Sequence, residues 1–485
     1  MRLRWLLRAD GHILVLALVA VVFVLQVCAL PRKIPHADGA VVGIAVSLLD
    51  YGIHANAPEP GSTAKPSPSR SMAPGYPALV AAVAALDTRM AQSFRCLAAG
   101  QAGCLERNSL RPLLVLNTLA GLIALALACF LARELSGSAE IAGLTTLLMF
   151  IMGRFTDLVG GMSPYPIVLM LTLGVCALLV VAHRRASLAS AALGGLALGM
   201  LAHIEVHYAL VLVPAALLLL AAERWRAMPQ WRFGVGAAAL LAVAGSLAIA
   251  PWMARNYVLF GDIALVQGTE ARLLAERIAY NGLSAGELLA GLLCWLPGIG
   301  DLSSLVLPAE TQRKFDVYRD GSLLQDGARI FATTYTAKVP GSGSEGQAWY
   351  LLHTYVFADP LSHAASSLLL TLRGLRATGG LLVLWGWLAL PLLLRRLRAQ
   401  RGQGPFLLVA GPLIGIAAVQ AVLTPNLPWM NLGLVFVYAY AIASVTGGLE
   451  LPIGLRRLMA RDGVDRTSDA RLPVRTLPAA ARSAI

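Results

Sequence analysis

Asp38 follows Pro35-His36-Ala37, about eight residues beyond the first long apolar run. A carboxylate placed there can take the proton of a hydroxyl as that hydroxyl attacks. It can equally cap the amphipathic stretch Gly39–Leu49, because Asp is a favoured N-cap residue. Pro74-Gly75-Tyr76-Pro77 is a turn in which two prolines fix φ and glycine permits a tight bend, or else a plain loop breaker. Farther on, Ala250-Pro251-Trp252-Met253-Ala254-Arg255-Asn256-Tyr257 and then Phe260-Gly261-Asp262 close another apolar run, where Pro251 should stop the helix. The Arg255 guanidinium can hold a phosphate bidentately or snorkel to lipid headgroups. In His203-x-Glu205-x-His207 the two imidazoles are spaced i,i+4, so one helical face could offer both to a divalent ion, with Glu205 on another face. A lipid-phosphate contact or a polar helix end is the alternative there.

The elements that carry these groups are membrane spans. Of 485 residues, 57% are hydrophobic and 13% charged, and mean hydropathy is +0.69, which excludes an ordinary water-soluble fold. Apolar runs near 12–30, 111–132, 141–158, 164–182, 188–206, 208–222, 233–252, 377–395, 405–423 and 430–448 predict about ten helices. The first run is too long for a signal-peptide core and is read as a retained span. Arginines cluster between runs, at Arg2, Arg4 and Arg8, His183-Arg184-Arg185, Arg224 and Arg226, Arg395-Arg396-Leu397-Arg398, and Arg456-Arg457. That pattern puts both ends inside and makes the net charge of +13 topological, not a nucleic-acid surface.

Two segments break the bundle on the outer side. Residues 31–110 hold the stretch Gly39–Leu49, a Pro/Ser/Gly-rich linker over 57–68, and the apolar stretch Ala78–Leu86, too short to span and so interfacial. Residues 271–376 hold Leu288–Leu296, expected to be re-entrant or interfacial. The tail 451–485 is basic and expected to be cytoplasmic and disordered. Cys96 and Cys104 lie outside, where a disulfide is permitted, while Cys28, Cys129, Cys176 and Cys294 fall in apolar runs. The chain shows no internal repeat of the kind that marks secondary transporters.

Asp38, Pro74-Gly75-Tyr76-Pro77 and the Pro-Trp-x-x-Arg-Asn-Tyr-x-x-Phe-Gly pattern, in this order over residues 1–270, resemble the GT-C membrane glycosyltransferases. The likeness is to the branch of protein O-mannosyltransferases, the lipid A aminoarabinose transferase and rhizobial galacturonosyltransferases. The resemblance implies an all-α polytopic fold with interfacial helices in a large first outer loop. Residues 1–270 would be the catalytic membrane module, 271–376 an outer region and 377–450 the last spans. It further implies an inverting transfer from a polyprenyl-phosphate-linked sugar to a lipid or glycan acceptor, on the periplasmic face of a bacterial inner membrane. Asp38 would be the general base, and Arg255, with Tyr76 and Asn256, would face the donor phosphate. His203, Glu205, His207 and His36 would line an acceptor or metal site; a divalent ion on His203 and His207 is the one cofactor envisaged. Membrane lipids are the other expected partners.

Three positions depart from the family pattern. The turn Gly160-Gly161-Met162-Ser163-Pro164-Tyr165-Pro166 lacks the usual acidic residue, with Asp157 a few residues early. Ala202-His203-Ile204-Glu205 stands where relatives carry Thr-Arg-Pro. Asn426-Leu427-Pro428-Trp429-Met430-Asn431 stands where they carry Pro-Arg-Tyr, so a phosphate-binding arginine is missing there. A lipid or glycolipid transporter and a catalytically silent scaffold are the competing readings.

Overall fold

The computed structural model describes residues 11–29, 39–56, 65–101, 104, 109–153, 155–223, 231–266, 270–295, 303–316, 320–330, 344–375, 381–399, 403–424 and 431–447. Among them the regular structure is entirely helical. Among the described residues five helices are long and apolar enough to cross a membrane: α1 (Gly11–Cys28), α5 (Arg111–Ser136), α7 (Tyr165–Arg185), α10 (Trp231–Phe260) and α15 (Gln403–Leu423). The other expected spans fall on α6 (Ala139–Gly153), α8 (Leu188–Ile204), α9 (Leu212–Glu223), α14 (Leu381–Ala399) and α16 (Gly433–Thr446). The stretches expected to be interfacial fall on α2 (Gly39–Tyr51) and α3 (Gly75–Ala85), which α4 (Thr88–Ala98) follows, and the segment expected to be outside after the seventh span contributes α11 (Glu270–Ile278), α12 (Ala285–Trp295) and α13 (Pro360–Leu375). Residues Met1–Val445 make one unit and Thr446–Ile485 another; the tail from 448 on lies outside the described residues, as does its expected disorder.

Small residues set how closely the spans approach. A Cβ on Gly195 would lie 2.1 Å from the Leu241 carbonyl oxygen, and one on Gly199 would lie 2.7 Å from that of Gly245. Helices α8 and α10 therefore meet backbone to backbone, which only glycine allows and which suits packing where lipid replaces water. Gly121 on α5 likewise leaves room for the buried ring of Phe23 from α1.

Helix polarity sorts the charges into two ends. At one end His12 meets Arg133, Arg184 Nη1 reaches Glu134 Oε2 at 3.3 Å, and Arg396 Nη1 donates to Ser444 O at 2.8 Å. These groups come from α1, α5, α7, α14 and α16, and they match the arginine-rich end that hydropathy assigns to the inside. The first outer segment sits at the other end. There α2, α3 and α4 share a hydrophobic core around Val42, Tyr76, Val80, Met90 and Phe94. Asp87 caps α4 by accepting from Arg89 N and Met90 N, Arg95 forks onto Asp50 at 2.7 Å, and Cys96 is disulfide-bonded to Cys104.

One expectation changes. Pro251 does not stop its helix: α10 continues to Phe260 and ends at Gly261, whose φ is +72°. The hydrogen bond that Pro251 forfeits is offset by Trp252 Nε1 on Leu265 O (2.8 Å) and Asn256 Nδ2 on Ala264 O (2.6 Å), which tie the extra turns to the following loop. The segment expected to be re-entrant or interfacial falls on α12 up to Trp295, with Leu296 outside the described residues, and α12 packs on α13 through Ala290, Trp295 and Leu369. Nearby, Arg277 of α11 is fully buried. It donates to Ala421 O on α15, to Asn281 Oδ1, and to His363 O, Ser366 Oγ and Ser367 Oγ on α13. Every one of these acceptors is neutral. Burial pushes the Arg277 guanidinium down to about 10, still far above neutral pH, so it stays charged and staples α11 to α13 and α15.

Candidate active site

The site begins where α8 ends. Its last turn stops at Ile204, Glu205 is extended (φ −134°, ψ 102°), and Val206–Val211 continues as a 3-10 turn. Tyr208 buries its ring there and accepts a hydrogen bond from Thr172 Oγ1 at 3.1 Å, which fixes the turn against α7. The break overturns the expected i,i+4 face, because His203 and His207 belong to different elements. His203 Nε2 bonds Ala248 O at 2.8 Å, a contact that the close α8–α10 approach makes possible. Glu205 and His207, expected on separate faces, come together instead, with Oε2 and Nδ1 4.0 Å apart. No hydrogen-bond partner for His207 Nδ1 occurs among the described residues.

Gly75 has a role different from the tight bend expected of it. Its φ is not positive, and a Cβ there would lie 2.8 Å from His203 O. The Pro74-Gly75-Tyr76-Pro77 turn is thus seated directly on the end of α8, which carries Tyr76 to the same place as Glu205.

A cavity of about 480 Å³ opens between these elements, lined by Tyr76, Tyr165, Glu205, His207, Val41 and Arg272, among others. Val41 stands three residues after Asp38 in sequence; Asp38 and His36 themselves lie outside the described residues. Glu205 and His207 are largely enclosed, with 23% and 12% of their side chains exposed. Arg272, on α11, is 62% exposed and pairs with Glu276 at 2.8 Å, which puts a cation at the cavity mouth. Sequence reading missed this arginine. Its signal was the amphipathic run Glu270–Ile278 immediately after the seventh span, with Arg272 and Glu276 at i,i+4.

Arg255 and Asn256 are not among the cavity's lining residues. The Arg255 guanidinium lies 4.3 Å over the Trp252 ring and 5.7 Å over that of Phe260, and donates to Asn256 Oδ1 (2.8 Å) and His54 O (3.3 Å). Asn256 is fully buried, its amide held by Ala264 O. His54 bonds Ser69 O at 3.0 Å and meets Trp252 edge on; burial, with Arg255 nearby, holds it below the usual histidine range and so neutral. Arg70 pairs with Asp262 at 2.9 Å beside the same Phe260 ring. This cluster borders the cavity, since Ser71 and Val266 line it and are the neighbours of Arg70 and Leu265.

The donors for a metal ion are few. Glu205 and His207 supply two groups, and no set of three or more His, Cys, Asp or Glu side chains is placed to hold an ion among the described residues. Two donors do not complete the coordination sphere of zinc or calcium, and magnesium would need substrate oxygens besides. Of the departures from the family pattern, the side chain of Asp157 and residues 425–430 lie outside the described residues, while Asn431 is buried.

No protein-family model matches the sequence, and no curated protein does. Solved structures do match. The archaeal oligosaccharyltransferase AglB from Archaeoglobus fulgidus, in complex with an inhibitory peptide and a dolichol-phosphate, aligns over 95% of this chain and 53% of its own, with a TM-score of 0.51 at 13% identity. The apo form of the Archaeoglobus fulgidus oligosaccharyltransferase gives a TM-score of 0.52 at 14% identity, over 93% of this chain and 52% of its own. The chain therefore spans about half the length of these proteins. The likeness is one of fold: the polytopic helical architecture that the resemblance implied is the one shared with these oligosaccharyltransferases.

Proposed function

We propose that this protein is an inverting glycosyltransferase that moves a sugar from a polyprenyl-phosphate carrier to a lipid or glycan hydroxyl, on the periplasmic face of a bacterial inner membrane. The observation that carries the reading is the cavity itself, where a carboxylate and an imidazole lie behind a cation on a GT-C fold. In the step envisaged, the acceptor hydroxyl gives its proton to Asp38 while its oxygen bonds to the anomeric carbon. The bond from that carbon to the phosphate oxygen breaks, and polyprenyl phosphate leaves with the electron pair. Arg272 faces the growing phosphate charge, supplying the cation missing near residue 428. Arg255 is the second phosphate ligand once its fork releases the His54 carbonyl, with Tyr76 and Asn256 on the same side. Glu205 and His207 accept and orient the acceptor hydroxyls. The binding of dolichol-phosphate by the archaeal fold relative agrees with such a donor. The step is written through protein groups; among the described residues Glu205 and His207 are the donors at the cavity, and His36 and Asp38 lie outside those residues.

The test is transfer by the purified full chain from a polyprenyl-phosphate sugar. A general base contributes roughly 10²–10⁴-fold, so Asp38→Asn should nearly abolish turnover. The amide caps a helix about as well as the acid, so folding should survive. Arg272→Gln should raise KM for the donor, and Arg272→Lys should recover part of the loss, because a point charge replaces a bidentate fork. Wild-type turnover in Asp38→Asn would remove the mechanism, and flux of an intact glycolipid without transfer would favour the transporter reading. Loss of transfer in chelator, absent from a His207→Ala variant, would restore the metal.

A further inference from the structure

At the arginine-rich end, α14 presents Pro391, Leu394, Arg395 and Arg398 at i, i+3, i+4 and i+7, which is one helical face. That face and the first turn of α15, with Phe406 and Leu407, enclose a cavity of about 520 Å³. Phe406 is buried at its floor, while Arg395 and Arg398 are exposed at its rim. Neither arginine has an ion pair or hydrogen bond from its side chain among the described residues. Their neighbour Arg396, by contrast, is engaged by the Ser444 carbonyl. The groove is remote from the Glu205 cavity. Ala421, which anchors the helix bearing Arg272, lies fifteen residues along α15 from Phe406, a rise of about 22 Å.

We infer that this groove binds one anionic phospholipid of the inner leaflet, its phosphate between Arg395 and Arg398 and an acyl chain over Leu394, Phe406 and Leu407. Charge complementarity selects the occupant. Basic pockets between spans on the inside of a membrane suit acidic headgroups, and an apolar floor beneath two unpaired guanidiniums suits an amphiphile better than a free ion. The chain's own tail is the wrong sign, since residues 451–485 carry seven arginines against three aspartates. The exposed Trp385, Leu388 and Leu392 put the adjoining face of α14 in contact with lipid.

Native mass spectrometry of the delipidated full chain tests this, with phosphatidylglycerol and phosphatidylcholine of identical acyl chains and with inorganic phosphate alone. Wild type should retain phosphatidylglycerol about tenfold more tightly than phosphatidylcholine. Arg395→Gln/Arg398→Gln should reduce retention to the phosphatidylcholine level, while Arg89→Gln/Arg111→Gln at the opposite end should not. Where the glutamine pair fails to fold, Leu407→Trp, which fills the groove and keeps both charges, should displace the lipid. Equal retention of the two lipids by wild type overturns the inference. So does undiminished retention in a folded groove variant, equally tight binding of inorganic phosphate, or a dimer formed through this face without lipid. None of these readouts depends on sugar transfer.

Discussion

A methyl group at residue 75 would stand 2.8 Å from the His203 carbonyl oxygen, too close for either backbone to ignore. Gly75→Ala should therefore cost about 1–3 kcal/mol in thermal unfolding and lift Tyr76 from the cavity wall. Asn256 offers a second discriminating residue. As a buried amide held by Ala264 O, its replacement by alanine should destabilise the protein by about 1–3 kcal/mol. A raised donor KM at unchanged stability would instead favour the phosphate role given to it by resemblance. Gly75, Tyr76, Glu205 and His207 stood out in the sequence because their types are unusual beside apolar runs, and the last three line one cavity. The sequence could not show that Gly75 serves a close approach and not a bend, because such an approach needs the partner backbone to be visible. Arg272 escaped notice because nothing local separates a cavity arginine from an ordinary member of an i,i+4 pair.

The end of α8 shows why spacing misled. Runs at 188–206 and 208–222 put a boundary near residue 207, but with no glycine or proline between Met200 and Val213 nothing local located it, and His203 and His207 could be read as an i,i+4 pair on one helical face. The interruption at Glu205 is set by tertiary contacts, with His203 held by α10 and Tyr208 by α7, and these contacts override local propensity. The converse holds for α10, where Pro251 signalled a stop that side-chain bonds to the next loop abolish. The α13 helix carries a prediction of its own. Burial and the neighbouring Arg277 push His363 down to about 4, whereas an unfolded histidine titrates near 6.5. Between those values the unfolded chain binds more protons, so stability should fall as pH drops from about 6.5 toward 4. Thermal unfolding across that range should show the slope, and His363→Gln should flatten it.

At the scale of the molecule, the alternation of charged and uncharged helix ends was legible from arginine placement alone, and the positions of most spans with it. What hydropathy could not supply was the way the two outer segments converge on one cavity. Cysteines introduced at Ser62 and Ser344 should react with an impermeant reagent in intact cells; labelling only after permeabilisation would invert the topology and move the cavity to the inside. The convergence also has a consequence for biosynthesis. Tyr76, Glu205 and His207 emerge from the ribosome early, whereas Arg277, on the helix that carries Arg272, bonds the carbonyl of Ala421, 144 residues later. A nascent chain arrested before residue 403 would already carry most of its apolar helices yet lack the α15 anchor of the helix that bears Arg272. The cavity wall is in this sense completed late, once α15 has been made, long after Tyr76, Glu205 and His207 have left the ribosome.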